Sequence, residues 1–316
     1  MNPTDELKVF SGRSNPALTS AICDYLDIRP GRAQAENFPD GELFVKLHDD
    51  VRGRDVFVVQ PTCRPVNDSL IELLVYLDSL RRASARRITA VLPYFGYARQ
   101  DRKDEGRTPI TAKLVSNLIS VAGADRVLTM DLHAPQIQGF FDIPVDHLHA
   151  APAFYRHFAA LDFRNVTFVS PDVGNARRTR NFADRMGGDL AIIDKRRTSG
   201  STAVVETIIG QVEGRDVLMV DDMIATAGTL CEAARIVRDR GARTIRAAAT
   251  HAVFAGPALE RLESAPFTEI VVTDTIPISN EARQRLPNLV VLSVGDILGE
   301  AITRIHNHLS VSSLFN

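Results

Sequence analysis

Nine short apolar runs recur along this chain without alternating with polar residues, and that pattern leaves few folds open. They cover residues 56–60, 88–95, 127–132, 166–170, 190–193, 217–220, 245–250, 270–273 and 289–294. Rich in Val and Ile, they predict strands buried on both faces. Segments with helical spacing lie between many of them. Within residues 67–83, Leu70, Leu73, Leu74, Leu77 and Leu80 line one face, and residues 176–186 and 229–240 behave similarly. Strand alternating with helix means crossover connections and a mostly parallel sheet, so the fold class is α/β. The length of 316 residues suggests two units of roughly 150 residues each. The clearest break is near residues 146–152, where a strand-like segment gives way to Ala150, Ala151, Pro152 and a new helix. We expect domains over residues 1–149 and 150–316, with the tail after residue 300 able to pack on the N-terminal one.

Acidic and basic residues nearly cancel, 39 against 37, for a net charge of −2. Nothing in that balance argues for nucleic acid or an anionic membrane, so any cationic chemistry is local. Cys23, Cys63 and Cys231 are few and far apart. They indicate neither a disulfide framework nor a thiolate metal site, and a reducing cytoplasm is the expected compartment. The first residues, MNPTDELKVF, lack the basic-then-apolar order of a signal peptide. No apolar run approaches the roughly 18 residues needed to span a bilayer.

Three apolar runs end in acids or His: residues 127–130 lead into Asp131 and His133, 166–169 into Asp172, and 217–220 into Asp221 and Asp222. Open parallel sheets bind ligands beyond the carboxyl ends of their strands. The third run continues as VLMVDDMIATAGT over residues 217–229. A buried strand there ends in two carboxylates, a turn of small residues follows, and a helix begins near Thr229. Backbone N–H groups at a helix start, with the hydroxyls of Thr226 and Thr229, suit a phosphate dianion. Ala227 and Gly228 let the backbone approach closely. Asp221 and Asp222 sit where vicinal sugar hydroxyls donate to them. An ordinary strand-to-helix turn with a Thr cap is the plainer reading, and the acid pair weighs against it.

This segment resembles the phosphoribosyl pyrophosphate loop of the phosphoribosyltransferase fold family, which implies two domains of that type. Residues 94–102, YFGYARQDR, are similar to the ATP loop of the ribose-phosphate pyrophosphokinase family, the synthetases that make the transferases' substrate. Further resemblance covers nearly all of residues 8–315. Residues 37–42, NFPDGE, look like the family's adenine-contacting loop, which reaches into a neighbouring subunit. Residues 131–141, DLHAPQIQGFF, and 170–174, SPDVG, resemble its metal-serving segments. Residues 194–197, DKRR, open what resembles its flexible catalytic loop, followed by the small polar residues 198–202, TSGST. Taken singly, each has a plainer reading: a core His, a helix N-cap, a solvated charge run. Their order within one chain makes coincidence a poor account.

The resemblance implies transfer of the pyrophosphoryl group of ATP to the C1 hydroxyl of ribose 5-phosphate, leaving AMP. Arg99, Gln100, Asp101 and Arg102 would hold ATP, with Phe38, Asp40 and Glu42 supplied by a second subunit. Asp221, Asp222, Thr226, Ala227, Gly228 and Thr229 would hold ribose 5-phosphate. His133 and Asp172 would serve Mg2+, and Lys195 and Arg197 would act in catalysis. Family members form homo-oligomers, commonly hexamers built from dimers. Arg52, Arg107, Ser310 and Ser312 match a site for phosphate as activator and ADP as inhibitor.

Three positions depart from the family. Ala225 stands where most synthetases carry an acid, which bears on turnover more than on binding. Asn175 replaces a usual Gly, and Asn tolerates left-handed backbone better than most residues. Asp50 replaces a Ser found in some members, and a carboxylate beside an anion site is repulsive, so weakened phosphate activation is expected. Ala225 also motivates an alternative, a catalytically weak or silent regulatory homologue. A phosphoribosyltransferase would leave the ATP and adenine loops without a purpose.

Overall fold

The computed structural model describes residues 7–159, 165–197 and 204–315, with side chains except at 195–197, 204–206, 313 and 315. The chain divides into two compact units. The first comprises Met1–Ala150 with Thr275–Pro277 and Ser293–Asn316, and the second Ala151–Asp274 with Ile278–Leu292.

The first unit carries β1 (Leu7–Ser11), the two-stranded hairpin β2 (Ala33–Asn37) and β3 (Leu43–Leu47), then β4 (Asp55–Val59), β5 (Arg87–Leu92), β6 (Arg126–Met130) and β7 (Val145–Leu148). Among the described residues β1, β4, β5, β6 and β7 form one sheet in that order, parallel throughout. Helix α1 (Pro16–Leu26) starts where the Asn15 side chain accepts the Leu18 N–H at 3.2 Å, with Pro16 in the first turn. Helix α2 (Val66–Arg82) follows the expected stripe: Leu70, Leu73, Leu77 and Leu80 are buried with Val56, Val58 and Ile88, while Leu74 is half-buried. Burying such a Leu stabilises the fold by about 1.5–3 kcal/mol. Helix α3 (Thr111–Ala122) packs beside α2.

In the second unit α4 (Ala151–Ala159), α5 (Ala176–Met186), α6 (Gly228–Asp239), α7 (Ala258–Glu263) and α8 (Asn280–Arg285) accompany a second sheet. Its strands are β8 (Val166–Ser170), β9 (Asp189–Arg197), β10 (Val204–Ile209), β11 (Asp216–Ile224), β12 (Thr244–Ala252), β13 (Glu269–Thr273) and β14 (Leu289–Leu292). Their order is β10-β9-β8-β11-β12-β13-β14, and only β10 runs antiparallel to its neighbour. The order reverses between β8 and β11, so a crevice opens at their carboxyl ends. Ser170 closes β8 with Asp172 just beyond it, while β11 runs on through Asp221 and Asp222 to Ile224, past the acid pair where the strand was expected to end.

Helix α9 (Gly295–His306) returns to the first unit and packs on α1. A Cβ on Gly299 would stand 2.5 Å from Tyr25 Cδ1, so only glycine admits that ring. Asp55, fully buried, is bound by Arg87 and by His306 Nδ1 at 2.8 Å, and Arg87 Nη2 donates to the Ile305 carbonyl at 3.0 Å. A buried carboxylate needs such partners.

The nine apolar runs match β4, β5, β6, β8, β9, β11, β12, β13 and β14. No run marks β1, β2, β3 or β10, and β7 corresponds only to the strand-like segment near residue 146. Strands β2 and β3 alternate between half-buried and exposed residues, so they lack a solid apolar run. In β1, Lys8 interrupts the apolar stretch.

Candidate functional site

Arg99, Asp101, Arg102, Asp104, His133, Ala134, Pro135 and Gln136 line a cleft of about 340 Å³ in the first unit. The residues after β5 and those after β6 meet there, beyond adjacent carboxyl ends of a parallel pair. Gln136 Nε2 donates to Asp101 Oδ2 at 2.8 Å, tying the two segments together. Arg102 Nε donates to Asp104 Oδ1 at 2.8 Å, while Arg99 is exposed with no hydrogen bond among the described residues. A guanidinium in that state offers a planar donor fork to phosphate oxygens. Gln100 turns elsewhere: its Oε1 accepts from Thr111 Oγ1 at 2.6 Å and its carbonyl from the Ala112 N–H at 3.1 Å, so it secures the start of α3.

Asp131 follows β6 in left-handed backbone, φ 40°. Its carboxylate accepts the Ala150 N–H at 3.0 Å and meets His149 Nδ1 at 2.8 Å. His147 Nε2 accepts the Leu132 N–H at 2.9 Å. Candidate ligand atoms of Asp131, His147 and His149 lie within 4.8 Å of one another. Those hydrogen bonds engage both imidazoles and hold the turn that presents exposed His133.

The hairpin tip carries Phe38, Asp40 and Glu42. Phe38 is 47% exposed, with its ring 5.7 Å from Phe44. The turn closes through Phe38 N–H to the Glu42 carbonyl at 2.7 Å, and Asp40 Oδ1 accepts the Glu42 N–H at 3.1 Å. Gly41, at φ 96°, supplies the positive dihedral the turn requires. Elsewhere in this unit Arg52 Nη1 donates to Ser84 Oγ at 3.2 Å, Arg107 is exposed in left-handed backbone, and the hydroxyls of Ser310 and Ser312 lie 2.7 Å apart.

In the second unit β11 delivers Asp221 and Asp222 side by side. Arg178 of α5 reaches both, at 3.3 Å to Asp221 Oδ1 and 2.7 Å to Asp222 Oδ1. No motif flags Arg178; only its place on α5, packed on β8 and β11, brings it there. Asn175 fixes the same corner: Nδ2 donates to the Val220 carbonyl at 2.7 Å, and its N–H donates to Asp172 Oδ1 at 2.9 Å. Asp172 is exposed and half engaged as a turn acceptor. Ala227 adopts left-handed backbone at φ 58° and α6 begins at Gly228.

Burial, then the neighbouring Asp222 charge, push the Asp221 carboxyl up to about 7, against the pull of Arg178. The unfolded value is about 3.9. The folded protein therefore holds a proton that the unfolded chain has released. The stability this gives is fully present below about pH 4 and is lost as pH rises through about 7. Asp221→Asn should stabilise the ligand-free protein progressively more from about pH 4 to about pH 7 in paired thermal melts, with little further change above that. An equal difference at about pH 4 and about pH 7.5 would exclude a raised Asp221.

Lys195 and Arg197 lie on β9, in register with Glu206 and Val204 of β10. Their backbone is thus a strand pair where a loop was expected to open. The small polar stretch 198–202 lies outside the described residues.

A family profile for the N-terminal domain of ribose phosphate pyrophosphokinase matches residues 7–123, and one for a phosphoribosyl synthetase-associated domain matches residues 203–316. A Rhodopirellula baltica protein called ribose-phosphate pyrophosphokinase is 60% identical over 98% of each chain. A protein of the same name from Caldanaerobacter subterraneus is 51% identical, over 99% of this chain and 98% of its own. The crystal structure of phosphoribosylpyrophosphate synthetase from Mycobacterium smegmatis superposes with a TM-score of 0.90 at 40% identity, covering 96% of this chain and 99% of that one.

Proposed function

The chain belongs to the ribose-phosphate pyrophosphokinase family, and from that we infer how its own residues run the reaction. It transfers the pyrophosphoryl group of ATP to the C1 hydroxyl of ribose 5-phosphate, giving phosphoribosyl pyrophosphate and AMP for nucleotide biosynthesis. The observation that carries this is 60% identity spread over the full length of a synthetase relative.

The C1 oxygen attacks the β-phosphorus, the bond to the α-phosphate oxygen breaks, and AMP departs. Such transfers need positioning and charge neutralisation more than covalent help. Arg99 and Arg102 would grip the polyphosphate, with Asp101 held in place by Gln136 and Gln100 supporting the loop through α3. Phe38, Asp40 and Glu42 would meet the adenine of a neighbouring subunit, and the exposed Phe38 ring supports that reading. That reading requires a homo-oligomer of at least two subunits, and a hexamer built from dimers is the form the family resemblance implies. Asp221 and Asp222 would accept the ribose hydroxyls, displacing Arg178 in part, and residues 226–229 would hold the 5-phosphate. Lys195 and Arg197 would neutralise the charge developing in the transition state.

His133 and Asp172, each exposed, would each serve Mg2+ directly or through water, as suits an ion that keeps waters and phosphate oxygens. When bound it would neutralise phosphate charge. Arg52, Arg107, Ser310 and Ser312 would form the effector site for phosphate and ADP. The few, scattered cysteines support work in a reducing cytoplasm. Among the described residues no helix is long and apolar enough to cross a membrane.

Pure protein mixed with ATP, Mg2+ and ribose 5-phosphate should release AMP in step with phosphoribosyl pyrophosphate. Absence of AMP would favour a silent homologue, the reading that Ala225 motivates.

A further inference from the structure

Four consecutive carbonyls behind the sugar-phosphate loop are each capped by a donor. Those of Ile224 and Ala225 accept the Phe254 and Ala255 N–H groups at 3.0 and 2.9 Å, and that of Ala227 accepts the Cys231 N–H at 3.0 Å. The fourth, on Thr226, is capped by a side chain: Arg261 Nη1 of α7 donates to it at 2.9 Å. Among the described residues the N–H groups of Ala227, Gly228 and Thr229 have no acceptor, as expected at a helix start. In a trans peptide the carbonyl and the following N–H point in opposite directions. Holding the Thr226 carbonyl on one side therefore aims the Ala227 N–H to the other.

We propose that Arg261 is a positioning residue for the 5-phosphate of ribose 5-phosphate, acting by fixing the Thr226–Ala227 peptide. The proposal rests on reading residues 226–229 as the phosphate cradle. Two further observations fit. Ala227 sits in left-handed backbone, which a residue with a Cβ adopts only when its surroundings hold it there. The Arg261 guanidinium also lies over Gly228, where an added Cβ would stand 3.1 Å from Nη1. Glycine at 228 thus makes room for the arginine. Arg261 forms no ion pair among the described residues and is exposed, so its charge also favours an anion in the cradle. Of the four caps it alone comes from a side chain, so substitution can remove it without breaking the backbone pairing.

Titration calorimetry with ribose 5-phosphate and with unphosphorylated ribose, alongside steady-state kinetics, tests this. Arg261→Ala should raise Kd and KM for ribose 5-phosphate about 10- to 100-fold. KM for ATP, kcat and the weak affinity for ribose should stay near parent values. Arg261→Lys, which keeps a cationic donor, should recover part of the loss. Gly228→Ala should weaken ribose 5-phosphate binding in the parent and add little in the Arg261→Ala background. Parent-like binding by Arg261→Ala overturns the proposal, as does an equal loss for ATP and ribose 5-phosphate, which would mark a general structural role. Thr229→Val separates the two readings. If it binds poorly while Arg261→Ala binds normally, only the role of Arg261 fails; if it binds normally, the cradle reading fails.

Discussion

Lys195→Ala is expected to lower kcat by about 10²- to 10³-fold while ribose 5-phosphate affinity stays nearly unchanged. The transferred group carries several negative oxygens, and its charge shifts toward the leaving α-phosphate oxygen during reaction. A cation that meets this charge only in the transition state lowers the barrier without strengthening ground-state binding. Lys195 lies toward the end of β9, opposite Glu206 in the β10 register, just before the stretch 198–202. The acid pair and phosphate loop lie on β11 and the start of α6 instead. On the proposed assignments binding and catalysis fall on separate strands, and removing Lys195 should separate the two readouts. Single-turnover kinetics and titration calorimetry on the same preparation check this. Near-parent turnover would remove Lys195 from the chemistry.

Asp222→Asn carries the second large effect, on binding. Asp222 is almost fully buried, and its carboxylate meets Arg178 at 2.7 Å. Substitution removes a charged acceptor for a sugar hydroxyl, so ribose 5-phosphate affinity should fall about 10- to 100-fold. Breaking a buried ion pair commonly destabilises a protein strongly. Here the loss is offset. Arg178 keeps Asp221 at 3.3 Å, and removing the Asp222 charge relieves the repulsion that helps to raise the Asp221 carboxyl. Asp222→Asn should thus melt near the parent temperature while binding sugar phosphate poorly. A variant that binds normally would exclude Asp222 from the sugar site, and one that melts much earlier would show that the acid pair stabilises the fold more than it strains it.

Particular elements show why some of this was legible before the structure. Buried parallel strands must be apolar on both faces, so β4, β5, β8 and β11 appear as solid runs of Val, Ile and Leu. The Leu stripe of α2 marks its buried face to within one residue of each end. The hairpin β2–β3 escaped because only half of its residues approach the core and the rest face water. Likewise, the Asp pair and the small-residue turn are contiguous in sequence, because a phosphate cradle is built from consecutive backbone groups. Gln100 shows the converse: it lies inside the ATP-loop motif, yet its side chain is spent on Thr111.

By itself the sequence determined the α/β class and the family, and it marked the contiguous segments proposed for the pyrophosphoryl-transfer site. The tertiary structure decided which groups converge on those segments. Arg178 comes 43 residues before Asp221, and Arg261 comes 35 residues after Thr226. Neither carries a local signal, because a long side chain on a helix face has the same sequence pattern whether it meets water or a carboxylate. The strand order, with its reversal between β8 and β11, settles that choice. It lays α5 against the end of β11, which brings Arg178 to the acid pair. The same fold sets the burial and crowding that raise Asp221.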